Sequence, residues 1–290
     1  MKKHTIGIIN SALAAISYGT NPLFALPMFG FGLGVNSVLF YRYFFAVIIY
    51  FFWLKFFKKV SLKITKEQGF FLFILSAFFS LSSLLLFMAF KYMPSGLACT
   101  ILFIYPVLVA LISFIFFKEK ITLQTLLAIT FTILGIFQLY SGEISFNFKG
   151  IFLVLMSGLC YALYMVFIRQ IKSVKTMKSE VLSFYVMLFG LSVYIFNLKF
   201  CINLEPLPNF LSFLCALGLA VIPTIISLET ITIGIKLIGS TKTAVLGALE
   251  PITALFFGII VFNEVLTFKI FIGIILIFIG VNMIILKKSK

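Results

Sequence analysis

The chain has 290 residues, of which 62% are hydrophobic and 11% charged, and its formal net charge is +15. Soluble domains are roughly 45–50% apolar and 25% charged, so this composition excludes a soluble fold. The positive charge does not indicate nucleic-acid binding, because the basic residues lie in short connections between apolar segments rather than in one patch with interleaved aromatic residues.

Ten apolar segments follow one another along the chain, with no soluble domain inserted between them. At about 1.5 Å per residue, each is long enough to cross a hydrocarbon core of roughly 30 Å. The segments are continuous rather than alternating, which predicts α-helices and not barrel strands. The predicted spans are residues 6–24, 36–57, 69–92, 95–117, 123–141, 150–170, 179–199, 210–235, 240–262 and 268–286. The first lacks a small-residue cleavage site and is interpreted as a span, not a signal peptide.

Lysine and arginine are concentrated on one side of these segments. With a cytoplasmic N-terminus, the opposite side receives only Lys91, Lys149, Lys199 and Lys269. Cytoplasmic connections carry an excess of Lys and Arg, so both termini are predicted to be cytoplasmic, in a multi-pass protein of the inner membrane.

The second half of the chain repeats the first about 145 residues later. The matched residues are Ser95 and Ser240, Pro106 and Pro251, Phe117 and Phe262, Glu119 and Glu264, Thr122 and Thr267, and Gly135 and Gly280. At an offset of 143, Gly7 also matches Gly150 and Tyr18 matches Tyr161. Each half, 1–145 and 146–290, holds five spans. Since five is odd, the second half must enter the membrane in the opposite orientation, which predicts an inverted repeat.

The last two spans of each half share four features. These are small residues at the start of the first span, a proline in its middle, an F-x-E-x-[IL]-T turn after it, and a glycine late in the second span. In the second half these are Gly239-Ser240-Thr241, Leu249-Glu250-Pro251, the turn from Phe262 to Thr267, and Gly280. This pattern resembles the drug/metabolite transporter superfamily, and within it the ten-helix EamA-type permeases. The resemblance covers nearly the whole chain, and the L-E-P motif is its most specific part.

The resemblance implies an all-α membrane protein of ten helices in two inverted five-helix repeats, with a central solute cavity and alternating access. It leaves the substrate open, because members export amino acids or carry other small metabolites. The first half has Tyr105 where the second has Glu250, so the function of Glu250 is expected to be carried out once.

Charged residues inside a membrane cost about 2.5–3.5 kcal/mol each on insertion scales, so each is a functional candidate. Glu250 lies near the middle of the ninth segment, beside Pro251. It is interpreted as a proton- or cation-coupling carboxylate, as a contact to a substrate amine, or as a structural group bonded to a neighbouring helix. Pro106 and Pro251 are predicted to kink their helices.

Glu229 and Lys236 are two helical turns apart in the eighth segment. Glu229 is therefore a substrate or coupling residue, one member of a cytoplasmic gate pair with Lys236, or a solvated group of the vestibule. Arg42, in the outer third of the second segment, is expected to hold a carboxylate, to pair with a glutamate, or to extend to the outer interface. Lys242 is expected to extend to the inner interface.

Polar residues also recur near the start of each half, and Tyr105 stands beside Pro106. Asn21 and Pro22 are predicted to break or end the first helix. The predicted cavity wall is Tyr18, Asn21, Tyr105, Tyr161 and Tyr164, the alternative being tyrosines of an interface belt.

Catalytic and metal motifs are missing from the sequence, whose single histidine is His4. We therefore expect no enzyme, no metal, no cofactor and no structural disulfide. The leading prediction is a secondary transporter of a small polar metabolite, such as an amino acid, with efflux favoured over uptake and proton coupling possible. Its expected surroundings are the lipid bilayer, as a monomer or weak dimer, with no nucleic acid. The alternatives are a proton-coupled exporter of cationic drugs or quaternary amines, and a membrane enzyme or lipid flippase.

Overall fold

The computed structural model describes residues 2–93, 95–139, 147–262 and 267–285. Within these ranges the chain is helical and contains no β-strand. The α-helices, in chain order, are α1 (Lys2–Tyr18), α2 (Asn21–Gly30), α3 (Val35–Phe52), α4 (Lys66–Ala89), α5 (Ser95–Leu102), α6 (Tyr105–Phe117), α7 (Leu123–Leu139), α8 (Phe148–Gln170), α9 (Lys172–Lys175), α10 (Ser179–Asn197), α11 (Phe210–Ala220), α12 (Ser227–Ile238), α13 (Ser240–Leu246), α14 (Leu249–Phe262) and α15 (Phe268–Ile285). Two π-helical turns extend α3 and join α11 to α12; they are Trp53–Phe57 and Val221–Ile226.

Six helical stretches in the described part of the chain are long and apolar enough to cross a membrane. They are Val35–Phe57, Lys66–Ala89, Phe148–Gln170, Ser179–Asn197, Phe210–Ile238 and Ser240–Val261. Shorter apolar helices cover Tyr105–Phe117, Leu123–Gln138 and Phe268–Met283. The protein is therefore a multi-pass membrane protein. Glu264 and the C-terminal lysines Lys287, Lys288 and Lys290 lie outside the described residues.

Three of the predicted segments are broken rather than continuous. The predicted break at Asn21-Pro22 is confirmed, since α1 ends at Tyr18 and α2 begins at Asn21. The predicted kinks at Pro106 and Pro251 need correction, because each proline lies in the first turn of a new helix, α6 or α14. A proline is tolerated there, since the first-turn amides have no helical partner to lose.

Side-chain caps set where several helices begin. The Thr65 side chain accepts a hydrogen bond from the amide of Gln68, and the Asn209 side chain accepts one from the amide of Ser212. Each pair also makes the reciprocal bond, forming a capping box that satisfies amides left open at a helix start. The caps follow the connections that precede α4 and α11.

The outer surface is apolar and the interior carries hydroxyl groups. Phe57 and Phe116 are each 73% exposed and Phe148 is 86% exposed. Serine and threonine side chains such as Ser157 and Thr232 are fully buried. This distribution suits a protein surrounded by lipid, where apolar side chains face outward and polar groups find partners inside.

The matched glycines of the two halves make exchanged contacts where α7 and α15 cross. A Cβ atom placed on Gly135 would lie 2.7 Å from the carbonyl oxygen of Gly273, and one on Gly280 would lie 2.7 Å from that of Ala128. Gly280 follows Gly135 by 145 residues, and Gly273 follows Ala128 by the same offset. The two halves therefore contribute equivalent residues to both sides of one contact.

The first matched pair of glycines behaves in the same way. A Cβ atom on Gly7 would lie 2.5 Å from Ile238, and one on Gly150 would lie 2.7 Å from Met93. Ile238 follows Met93 by 145 residues. Thus α1 packs on the end of α12 as α8 packs beyond the end of α4, and the duplication read from the sequence is present in the packing.

We predict that Gly280→Ala destabilises the protein although alanine favours helix by up to about 1 kcal/mol. The added Cβ would press on the α7 backbone, and overpacking of this kind costs about 1–3 kcal/mol. The melting temperature of the purified protein in detergent is expected to fall. Gly30→Ala is the matched control, because no atom lies within 4 Å of a Cβ built there. A Gly280→Ala protein that melts at or above the wild-type temperature would contradict the tight crossing.

Candidate functional site

The break between α1 and α2 exposes backbone groups that side chains then satisfy. The Thr20 hydroxyl donates to the carbonyl of Ser17 at 2.7 Å, and the Asn21 amide donates to the carbonyl of Tyr18 at 2.9 Å. The Asn21 Oδ1 atom is buried and has no hydrogen-bond partner in the protein. The side-chain amide of Asn21 thus satisfies one backbone carbonyl at the break, and its Oδ1 atom remains available to accept a hydrogen bond.

Glu250 lies at the break between α13 and α14, pressed against the first break. It sits in the first turn of α14, and its side chain is partly accessible. A Cβ atom on Gly19 would collide with the Glu250 carbonyl oxygen. A glycine at position 19 therefore lets the junction of α1 and α2 approach the start of α14 this closely.

Tyr105 occupies the position in the first half that matches Glu250. It lies in the first turn of α6, is 2% exposed, and donates from its hydroxyl to the carbonyl of Ala244 at 3.2 Å. Position 244 follows Cys99 by 145 residues, and Cys99 lies within electrostatic range of Glu250. Tyr105 and Glu250 thus each lie near the equivalent position of the opposite half, one as a neutral donor in contact with it and the other as a carboxylate within electrostatic range.

Three of the predicted tyrosines lie near Glu250. Tyr18, Tyr105 and Tyr161 all lie within electrostatic range of it. The Tyr105 and Tyr161 ring centroids are 4.8 Å apart, and Tyr164 stacks on Tyr161 at 6.3 Å. These tyrosines lie within the bundle, so an interface belt does not describe them.

Arg42 is fully buried and braces the π-helical turn between α11 and α12. Pro223 has no amide hydrogen, and the Thr224 hydroxyl donates instead to the carbonyl of Leu219 at 2.7 Å. Arg42 Nε donates to Thr224 Oγ1 at 2.6 Å, and Arg42 Nη2 donates to the Pro223 carbonyl at 3.1 Å. Arg42 therefore does not extend to the interface. Its guanidinium lies 5.5 Å from the centroid of the Tyr18 ring.

Glu229 and Lys236 take different partners. The Tyr50 hydroxyl donates to Glu229 Oε2 at 2.7 Å, and Lys236 Nζ donates to the carbonyl of Met177 at 2.6 Å. Spacing along one helix suggested a pair, but α3 and the turn before α10 supply the partners instead.

A polar cavity of about 190 Å³ lies at one end of the helical bundle. We call this the basic end, because Lys120, Arg169 and Lys242 line the cavity there. Glu119, from the predicted turn of the first half, accepts a hydrogen bond from Gln170 at 2.8 Å and lines this cavity. Lys242 is at its rim, half-buried. The cavity joins the turn after α6 to the start of α13.

The structure thus brings together Glu250, Tyr18, Tyr105, Tyr161 and Tyr164, with Arg42 beside Tyr18 and Asn21 at the adjoining break. Sequence reasoning missed three further residues near Arg42: Tyr43, Ser80 and Ser83. Ser80 and Ser83 belong to a run of serines in the otherwise apolar α4, which also includes Ser76 and Ser82. That run was the signal available in the sequence.

Comparison with known proteins identifies the family. The profile of the EamA-like transporter family matches the chain twice, over residues 5–141 and 148–286. Two curated relatives are an uncharacterized transporter of Archaeoglobus fulgidus, 28% identical over 192 residues, and the uncharacterized transporter sll1319 of Synechocystis sp., 26% identical over 196 residues. Each alignment covers 64% of this chain, but 65% of the first relative and 58% of the second. The chain therefore spans less than two thirds of the length of either relative.

The fold also matches a solved crystal structure. The TM-score is 0.76 over 97% of this chain and 96% of that one, at 16% sequence identity. At this identity the likeness establishes a shared fold. It carries no information on substrate.

We predict that Gly247→Ala impairs folding and that Tyr105→Phe partly restores it. A Cβ atom on Gly247 would overlap the Tyr105 hydroxyl, and removal of that hydroxyl opens the space. The melting temperature of the purified double variant should therefore exceed that of Gly247→Ala alone. Tyr105→Phe alone serves as the control. If the two substitutions add with no rescue, the hydroxyl does not rest against Gly247.

Proposed function

Because the chain belongs to the EamA-like transporter family, we propose that it is a secondary transporter that exports a small polar metabolite, an amino acid or similar solute, across the cytoplasmic membrane. The observation that carries this proposal is the position of Glu250. It is a partly accessible carboxylate at a helix break, among tyrosines contributed by both halves of the chain. Broken helices at a repeat interface are a usual construction of transporter binding sites.

The proposed topology has ten membrane-crossing helices, as two inverted repeats over residues 1–145 and 146–290, with both termini cytoplasmic. The bias of lysine and arginine toward one side supports the orientation. The exchanged glycine contacts support a two-fold relation between the halves. Alternating access then follows as a rocking of one repeat against the other around the site.

In this mechanism Glu250 couples transport to a proton or contacts a substrate amine. Tyr18, Tyr105, Tyr161 and Tyr164 form the wall of the site, and Asn21 contributes a polar atom at its edge. Glu229, bonded to Tyr50 nearer the basic end, is assigned to the cytoplasmic entrance. Flux into proteoliposomes across a broad metabolite panel tests the proposal, and no flux of any solute would count heavily against it.

A second candidate is a proton-coupled exporter of cationic drugs or quaternary amines. One observation favours it, since a carboxylate with three tyrosines within electrostatic range suits an organic cation. The two functions differ at Arg42, which an exporter of cations has no need to place beside its solute. Arg42→Ala with unchanged transport would favour this second candidate.

We predict that Glu250→Gln abolishes proton-dependent transport while the protein still folds. The amide keeps the shape of the side chain but cannot exchange a proton. Flux in proteoliposomes with and without a pH gradient is the measurement. Glu67→Gln is the matched control, because Glu67 is exposed in the first turn of α4. A Glu250→Gln protein with wild-type pH dependence would remove Glu250 from the coupling step.

A further inference from the structure

Arg42 carries a buried charge that no carboxylate neutralises among the residues that the structure describes. Its side chain is 0% exposed. Its two bonded nitrogens reach neutral acceptors, the hydroxyl of Thr224 and the carbonyl of Pro223. The third nitrogen, Nη1, has no hydrogen-bond partner in the protein. An unpaired charge at such a depth is costly, which points to a counter-charge brought by a ligand.

Unpaired hydroxyl groups cluster beside this guanidinium. The Tyr43 ring lies 5.9 Å from Arg42 Cζ, and its hydroxyl has no hydrogen-bond partner in the protein. Ser80 Oγ and Ser83 Oγ are also buried without a well-aligned partner, and both lie within hydrogen-bonding reach of the Tyr43 hydroxyl. The Tyr164 hydroxyl lies near Thr232 instead. The cluster of Tyr43, Ser80 and Ser83 comes from α3 and α4, so it is built by packing and not by one local motif.

Close packing of α10 brings these hydroxyl groups together without giving them well-aligned hydrogen-bond partners. A Cβ atom on Gly190 would collide with Ser80 Oγ and lie 2.7 Å from Tyr43 Cε1, so α10 presses both residues inward. The Tyr43 ring also packs on Tyr194 at 4.9 Å. Buried polar groups are rarely left without a well-aligned partner in native proteins, so the Arg42 Nη1 atom and these three hydroxyl groups point to a binding site.

The cluster adjoins the proposed transport site through Tyr18. The Tyr18 hydroxyl lies beside Ser83, and the residue is within electrostatic range of both Arg42 and Glu250. Arg42 and Glu250 also act on one another electrostatically, although they form no ion pair. The site therefore has a cationic end at Arg42 and an anionic end at Glu250. Tyr18 lies near both of them.

We propose that Arg42, Tyr43, Ser80 and Ser83 form a subsite for the carboxylate of the transported solute, an inference that rests on the proposed transport function. A guanidinium and hydroxyl groups can all donate hydrogen bonds, so the ligand must supply acceptor oxygens and negative charge. A metal ion would be repelled by Arg42. An amine on the same solute would lie toward Glu250, so the two ends select a zwitterion.

The first test removes hydroxyls that make no well-aligned hydrogen bond within the protein. Tyr43→Phe and Ser83→Ala should melt at or above the wild-type temperature, because each deletes a buried polar group that is poorly satisfied. Each should also weaken binding of carboxylate ligands by about tenfold, since a hydrogen bond to a charged group is lost. Ser113→Ala is the matched control. Ser113 is likewise buried and unpaired, but it lines the cavity at the basic end, so binding should be unchanged.

The probes are α-amino acids of each side-chain class, each compared with its decarboxylated amine and its methyl ester. Binding to the purified full-length protein is measured by thermal stabilisation and by titration. The parent amino acids should bind, and the amines and esters should bind at least tenfold more weakly. Arg42→Lys should remove this preference, because one ammonium cannot brace the π-helical turn and bind a carboxylate with the same geometry.

The outcomes separate this inference from the proposed function. Amines or esters that bind as well as the parents, no binding by any amino acid, or wild-type affinity in Tyr43→Phe would each overturn the subsite. Flux of solutes without a carboxylate would do so while leaving transport intact. Carboxylate binding that is lost in Tyr43→Phe, without flux in proteoliposomes, would support the subsite and contradict the transport function.

Discussion

A broken helix inside a membrane must satisfy its open backbone groups within the protein, because lipid offers them no partner. In this protein, residues at one helix break contact or hydrogen-bond the backbone of another helix end. The junction of α1 and α2 packs on the carbonyl of Glu250 at the start of α14. The start of α6 donates from Tyr105 to the end of α13. Arg42 satisfies the π-helical turn before α12. The candidate site forms where these stretches of irregular backbone meet.

Duplication explains why the breaks come in related pairs. The glycine contacts of Gly135 and Gly280 exchange equivalent residues between the halves, so each half buries the same surface against the other. The difference between Tyr105 and Glu250 then places a carboxylate at only one of these two matched positions.

Much of the helical organisation could be predicted from the sequence, since long apolar segments and polar matches at a fixed offset survive without tertiary information. The break at Asn21-Pro22 was predictable for the same local reason. The breaks before Pro106 and Pro251 were not located, because a proline in a first turn and a proline in a kink look alike in sequence. The partner of Glu229 was also missed, since helical spacing favoured Lys236 whereas packing of α3 supplied Tyr50.

The surroundings of Arg42 were beyond sequence reasoning, because its partners Thr224 and Pro223 lie 182 and 181 positions away. They also explain how the charge is tolerated. Two of its nitrogens complete hydrogen bonds that the π-helical turn leaves open, so the guanidinium has a structural role before any ligand arrives. The remaining nitrogen, Nη1, makes no hydrogen bond within the protein. A ligand that binds this nitrogen therefore contacts the residue that braces the turn between α11 and α12. A ligand at Arg42 is connected through the braced turn to the helical stretch Phe210–Ile238. That stretch is long enough to cross the membrane.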